Sequence, residues 1–376
     1  MRSSSTRMLN RIAEKLDAGD FLSREEGLFL FGEDVSLHRL GVFADRLRRR
    51  INGNVGWYNI NTHLNPTNRC TLRCPLCAFH AVPGSSKAYT LTFDEMLRRA
   101  SEAVLAGCTE LHIVGGIHPE NPYSWYRDIV SRIREIGPRL HIKAWAAPEI
   151  AHFAASSGMS VEEVLRDLRE AGLNSLPGGG AEIFAPEPRR QIAPKKIDAD
   201  TWLAIHGTAH RLGIPTNATM LFGHVESVAD RVDHLLRLRD LQGESLQSGH
   251  GDDAGTGFDA FVPLVYQSHE RLPLEPLPAA SILRTVAISR LLLPNIPHIK
   301  AYWVTFGVAL AQMSLGYGAD DLDGTIRGER VHHEAGSPAP TSLGVEELRS
   351  LIAETGLEPV ERDSRYHPVK QYRSSG

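Results

Sequence analysis

Short apolar runs and helix-spaced apolar positions alternate along most of this chain. The runs 58–64, 110–114, 141–146, 175–176, 216–221, 258–266, 298–304 and 321–325 read as strands, and most lead into a loop marked by Gly or Pro. Between them, apolar residues return every third or fourth position over 93–106, 124–136, 160–171, 199–212, 228–241, 280–293, 308–315 and 345–354. That spacing predicts helices with one buried face. Ser160-Val-Glu-Glu163 is a capping box, and Gly172 and Gly213 stand where a helix can stop in a left-handed residue. About eight strand–helix alternations predict an α/β protein built on a parallel (β/α)8 TIM-type barrel, with its chemistry at the carboxyl ends of the strands.

Residues 8–52 follow a different rhythm. Leu9, Ile12 and Leu16, then Leu37, Leu40, Phe43 and Leu47, recur at helical spacing. The chain therefore divides into an N-terminal helical extension (1–55) and a barrel with a C-terminal helical segment (56–376). Arg48-Arg49-Arg50 is expected as a solvated helix end, favoured there by the helix dipole. Gly243–Gly257 is low in complexity and is expected as a surface loop, its acids and His250 in solvent.

Composition narrows the class. A hydrophobic fraction of 42% and a charged fraction of 23% over 376 residues are those of a soluble globular protein. The net charge of -4 gives no support for nucleic-acid binding, and no apolar run reaches the length of a membrane span. Four cysteines and no apolar leader point to a reducing, cytoplasmic compartment.

Three of those cysteines carry the chemistry. Cys70, Cys74 and Cys77 form a C-x-x-x-C-x-x-C run. Three thiolates on one loop can hold three corners of a [4Fe-4S] cubane and leave the fourth iron open to a ligand. A zinc site would need a fourth ligand, which His80 offers, and a redox pair would need only a C-x-x-C. Cys108, at a helix-to-strand junction, is expected as a small buried hydrophobe.

Other candidates follow the strands. Gly115-Gly116 after the second strand lets backbone approach a ligand closely. Gly178, Gly179 and Gly180 precede Glu182 after the fourth, and a carboxylate at a strand end can take both hydroxyls of a ribose. His118, Glu149, His224 and Glu226, with Asp321 and Asp323 in the eighth strand, are candidate acids and bases. Lys143 and Lys300 share the pattern His-Ile-Lys-Ala-aromatic; each would face either an anionic substrate or a core carboxylate.

The cysteine spacing, followed by Phe79, resembles the radical S-adenosylmethionine (SAM) superfamily. Asn61-Thr-His-Leu-Asn-Pro-Thr-Asn-Arg-Cys70, His112-Ile-Val-Gly-Gly-Ile-His-Pro119, Leu176-Pro-Gly-Gly-Gly-Ala-Glu-Ile-Phe184, Asn217-Ala-Thr-Met-Leu-Phe-Gly-His224 and Asp321-Leu-Asp-Gly-Thr325 resemble the aminofutalosine synthases of the futalosine route to menaquinone. The resemblance runs from about residue 56 to Tyr366. It implies a [4Fe-4S] cluster on Cys70, Cys74 and Cys77, with SAM as co-substrate near Phe79, Gly115, Gly116, Gly179, Gly180 and Glu182. It also implies addition of the 5′-deoxyadenosyl radical to 3-[(1-carboxyvinyl)oxy]benzoate, and a low-potential electron donor as partner. For that dianionic aromatic substrate, His118, His224, Arg290 and Lys300 are candidate donors, and Phe79, Trp145 and Trp303 a candidate apolar wall. Sister radical SAM enzymes, the futalosine cyclase and the deazaflavin-forming synthase, share the cysteine spacing and the barrel.

Overall fold

The first apolar run, expected as one strand, breaks at Ile60 into β1 (Val55–Asn59) and β2 (Asn61–Leu64). The computed structural model describes residues 2–82, 84–248 and 255–371. β3 (Glu110–Ile113), β4 (His141–Ala144), β5 (Thr216–Phe222), β6 (Phe258–Val265), β7 (His298–Ile299) and β8 (Asp321–Gly324) follow, each preceded by at least one helix. β2, β3 and β4 pair in parallel, as do β5, β6 and β7. Ser175 and Leu176 bridge the two groups through Lys143 and Thr216. Lys300 bridges to Asp321, and β8 closes the ring on β1 and, through Arg327, on Thr62. The ring is the parallel barrel that the alternation implies, its fourth strand reduced to two residues.

Outside it, the helices bury the faces their spacing dictates. In Tyr123–Ile136, Tyr126, Ile129, Val130 and Ile133 are buried, an i, i+3, i+4, i+7 stripe. Ser160 caps Val161–Glu170 through a complete capping box, and Gly172 and Gly213 take positive φ (115° and 70°). Thr92 and Ser227 cap Phe93–Leu105 and Val228–Gln247 in the same way.

Several elements differ from expectation. The run 141–146 stops at Ala144, because Trp145 turns to φ 60° and Ala147–Ser157 is a helix with a proline in its first turn. β7 is two residues long, and Trp303–Phe306 is already helical. Gly243 to Gln247 are the last turns of helix Val228–Gln247, with Ser245 buried, rather than surface loop; His250 lies outside the described residues. The C-terminal segment is not only helical: after Val345–Ala353 come β9 (Glu358–Arg362) and β10 (Pro368–Gln371). β9 adds in parallel to β1, so one sheet runs β10-β9-β1-β8.

Residues 2–52 form the helices Arg2–Ala18, Arg24–Phe31 and Leu37–Asn52. They pack on the barrel's outer helices: Gly27 is tight against Val232 and Leu292, and Arg284 donates to Leu30 O and Val35 O. Arg48 is not solvated. It is fully buried, paired with Asp45 at 2.8 Å and donating to Gly53 O. Among the described residues no helix is long and apolar enough to cross a membrane.

Candidate active site

The cysteine loop leaves β2 at Leu64 and is fixed by hydrogen bonds along its length. Asn65 Nδ2 donates to Val114 O (2.9 Å), and Tyr89 OH donates to Asn65 O (3.1 Å). Asn68 Nδ2 donates to Lys87 O and its Oδ1 accepts from Tyr89 N, each at 2.9 Å. Further on, Thr71 N donates to Ile117 O (2.9 Å) and Leu76 N to Ile192 O (3.1 Å). Arg271, from the turn after β6, donates to Cys77 O at 2.7 Å. Cys70, Cys74 and Cys77 thereby line one cavity of about 290 Å³, and none is in a disulfide.

Gly115 and Gly116 lie against that loop. A Cβ on Gly116 would stand 2.3 Å from Arg69 O and 3.1 Å from Cys70 Cβ, so only glycine allows the two chains to pass. Gly116 N donates to Thr67 O at 2.8 Å. Glu149 holds the neighbouring turn: it accepts from Ala146 N (2.7 Å) and Gly115 N (3.3 Å). Burial pushes its carboxyl up to about 8, against those two hydrogen bonds.

The third glycine segment faces them. A Cβ on Gly178 would meet Asn217 O at 2.7 Å, and one on Gly180 would meet Pro148 Cγ at 2.3 Å. Glu182 follows at φ 47°, buried and ion-paired with Lys196. Burial pushes the Glu182 carboxyl up, but Lys196 outweighs it and holds the group below the usual carboxylate range. Burial likewise raises the Cys74 thiol to about 11 and raises Cys77, while the Lys196 ammonium pulls both down. Such thiols become thiolates when a bound cation offsets the desolvation.

The donor set fits an open-cornered cluster. Three soft sulfurs share one cavity wall with no fourth thiol, because Cys108 is half-buried elsewhere, 3.5 Å from Thr62 Oγ1. Among the described residues no three His, Cys, Asp or Glu side chains gather around a point that could take a single metal ion. His80, the fourth ligand a zinc site would use, has its Nδ1 2.9 Å from Arg271 Nη1.

Of the expected residues, Phe79, Gly115, Gly116, Glu149, Gly179, Gly180, Glu182 and Asp323 line this cavity with the cysteines. Lys300 lines it too and pairs with Asp323 at 2.6 Å, whereas Lys143 pairs with Glu110 at 2.7 Å in the barrel interior. Four candidates lie elsewhere. His118 Nδ1 accepts from Glu120 N (3.1 Å) and Asn121 N (3.2 Å), which knits its own loop. Glu226 accepts from Gly223 N and His224 N and pairs with Arg231; despite burial, His224 and Arg231 hold it down to about 2. His224 sits inside that same turn, 3.1 Å from Leu221 O. Asp321, at the amino end of β8, is paired with Arg362 (2.7 Å) and Tyr366 OH (2.6 Å). Nor do Arg290, Trp145 and Trp303 reach the cavity wall. Arg290 is spent on Asp320 and backbone carbonyls, Trp145 packs on Tyr126 and Phe153, and Trp303 Nε1 donates to Gly324 O.

The cavity also holds residues to which the sequence assigns no role, among them His63, His112, Lys196, Tyr302, Glu329 and His332. His63 and His112 occupy paired positions on β2 and β3, and their rings stack with centroids 4.6 Å apart. Tyr302 meets His332 edge-on at 5.5 Å. Inward alternation along β2 and β3 is the signal that marks the histidine pair. Lys196, Glu329 and His332 sit in loops and carry no such signal.

The Radical SAM superfamily model matches residues 64–238, and the CofH/MqnC C-terminal region matches residues 255–374. Aminodeoxyfutalosine synthase of Thermus thermophilus is 42% identical over 98% of this chain and 98% of its own; that of Streptomyces coelicolor is 41% identical over 96% and 94%. The 5-amino-6-(D-ribitylamino)uracil–L-tyrosine 4-hydroxyphenyl transferase of Methanopyrus kandleri is 40% identical over 88% of each chain. Among solved structures, methylornithine synthase superposes with a TM-score of 0.69 at 18% identity, covering 93% of this chain and 97% of that one, which shows a shared barrel.

Proposed function

This chain belongs to the aminodeoxyfutalosine synthase family of radical SAM enzymes, and on that premise we propose that it joins the 5′-deoxyadenosyl carbon of SAM to the enol-ether carbon of 3-[(1-carboxyvinyl)oxy]benzoate. The products are 6-amino-6-deoxyfutalosine, bicarbonate and methionine. The observation that carries this reading is the shared wall of Cys70, Cys74, Cys77, Gly115, Gly116 and Glu182 around one cavity. When bound there, a [4Fe-4S] cluster supplies one low-potential electron to open a carbon–sulfur bond of SAM.

The chain's own groups do the rest. Cys70, Cys74 and Cys77 hold the cluster, and the Gly115-Gly116 turn brings backbone to the SAM amino acid. Glu182 accepts from the ribose hydroxyls while Lys196 keeps it ionised. Glu149, carrying a proton at neutral pH, orients Gly115 without adding a negative charge beside the thiolates. Arg271 pins the cysteine loop through Cys77 O, and a fixed loop helps to keep water and stray hydrogen donors from a reactive carbon. A low-potential donor delivers the electron, and the reducing cytoplasm preserves the thiols.

The test is an anaerobic incubation of iron- and sulfide-reconstituted protein with SAM, dithionite and the enolpyruvyl benzoate. The expected product retains the adenosyl carbon by mass. Release of free 5′-deoxyadenosine as the main nucleoside, with the benzoate unchanged, would overturn the proposal in favour of a hydrogen-abstracting sister enzyme.

A further inference from the structure

We infer that the stacked His63–His112 pair, with the Lys300 ammonium, forms the subsite that takes the ring carboxylate of the aromatic substrate. This inference rests on the reaction proposed above.

The floor of the cavity carries polar groups that the protein itself leaves unused. His63 is buried, yet its Nε2 has no hydrogen-bond partner; among the described residues it is the buried, unpartnered side-chain polar atom on this cavity's wall. His112 is stacked on it, with ring centroids 4.6 Å apart, on the same cavity wall. Lys300 gives one of its three donors to Asp323 and keeps two. Buried polar atoms in native proteins are nearly always satisfied, so an unsatisfied nitrogen on a side chain of the cavity wall marks a group that a ligand can complete.

The chemistry of that atom follows. Burial lowers the basicity of both imidazoles, with Glu110, Asp323, Glu329, Lys143 and His332 acting on them from neighbouring elements. Each ring is then neutral and offers one N–H. Two imidazole N–H groups and an ammonium lining one cavity suit an anionic, two-oxygen acceptor.

Depth decides which carboxylate. His63 and His112 lie within β2 and β3, whereas the cysteines and Gly115-Gly116 lie in the loops beyond the carboxyl ends of those strands, so the histidines are the deeper set. The cysteines and glycines ring the mouth, where the enol-ether carbon has to meet the adenosyl carbon. The benzoate then points inward, and its carboxylate reaches the histidine floor.

The experiment uses the reconstituted holoenzyme and two probes: the full substrate, and 2-phenoxyprop-2-enoate, which lacks the ring carboxylate. His63→Phe keeps a stacked ring and removes both nitrogens; His63→Gln returns a donor. For the full substrate, His63→Phe should raise KM and the calorimetric Kd about ten- to hundredfold, the loss of one charge-assisted hydrogen bond. His63→Gln should recover part of that, and the KM for SAM should stay constant. With 2-phenoxyprop-2-enoate, wild type and His63→Phe should agree within about twofold. An unchanged KM in His63→Phe, or an equal penalty with both probes, overturns the inference. If His63→Phe does not fold, as judged by iron content and thermal melting, His112→Phe is read by the same criteria. Failure of the wild-type enzyme to form adenosylated product would instead overturn the reaction, a separate outcome read in the same assay.

Discussion

Replacing Gly116 by alanine sets a methyl group against the backbone of the cysteine loop. The new Cβ would sit 2.3 Å from Arg69 O and 2.8 Å from Arg69 C, where real Cβ atoms essentially never come closer than 3.0 Å. The Arg69 carbonyl therefore has to retreat by about 0.7 Å, from 2.3 Å to 3.0 Å. A flexible side chain could absorb this, but here the obstacle is main chain. Cys70 is the next residue, and the Gly116 N to Thr67 O and Thr71 N to Ile117 O hydrogen bonds flank the displaced peptide. Overpacking of this kind costs about 1–3 kcal/mol, and a weakened backbone hydrogen bond adds about 1 kcal/mol. The effect on metal assembly is larger than on stability, because donor atoms must meet iron within a few tenths of an ångström. Gly116→Ala should retain less than half of the wild-type iron and sulfide after anaerobic reconstitution, with a weakened electron-paramagnetic-resonance signal on reduction. Gly115→Ala is the control: its Cβ would meet Thr67 O at 3.0 Å, a contact that a small shift relieves. Full iron content and an unchanged denaturation midpoint in Gly116→Ala would refute the reasoning.

The cysteines make a sharper contrast: Cys70→Ala, Cys74→Ala and Cys77→Ala should each abolish reductive SAM cleavage, while Cys108→Ala, outside the cavity, should leave it largely intact. Lys196→Met strands the buried Glu182 carboxylate and should cost about 3–5 kcal/mol in urea denaturation, most of it recovered in the Lys196→Met/Glu182→Gln pair. Glu182→Gln alone should weaken SAM binding by calorimetry more than it lowers iron content. Glu149 gives a pH test. Its folded-state value of about 8 lies above the ordinary 4.5, so the folded protein keeps a proton that the unfolded chain has already lost. Its contribution to stability is complete below about pH 4.5 and disappears as pH rises through 8. Denaturation midpoints of Glu149→Gln should therefore fall less between pH 5 and pH 8 than those of wild type, and parallel curves would contradict the assignment.

What the sequence exposes and what it hides divide along the reach of each interaction. Cys70, Cys74 and Cys77, Gly115-Gly116 and Gly178–Glu182 are each local, and each lies on the cavity. The barrel strands are legible because runs such as 216–221 are buried on both faces. His63 and His112 gain meaning only through the register that sets them side by side. β9 escapes notice because Glu-Pro-Val-Glu-Arg reads as polar, while its Arg362 is fully buried against Asp321. His118, His224 and Glu226 do follow strands, but their polar atoms are taken up by the turns that hold them and by Arg69 and Arg231. The run 141–146 misleads at its end because Ala and Trp suit either element, and the proline and Glu149 that follow tip the chain to helix.

The sheet order β10-β9-β1-β8 has a consequence for how the molecule is made. Val55 pairs with Glu358, about 300 residues downstream. At ~5–20 residues per second on a ribosome, β1 spends roughly 15–60 s without that neighbour. Over that interval its open edge stays a template for any other extended chain nearby. The emergence of Glu358–Arg362 ends the wait, seating the Arg362 guanidinium on Asp321 and sealing the edge in one stroke.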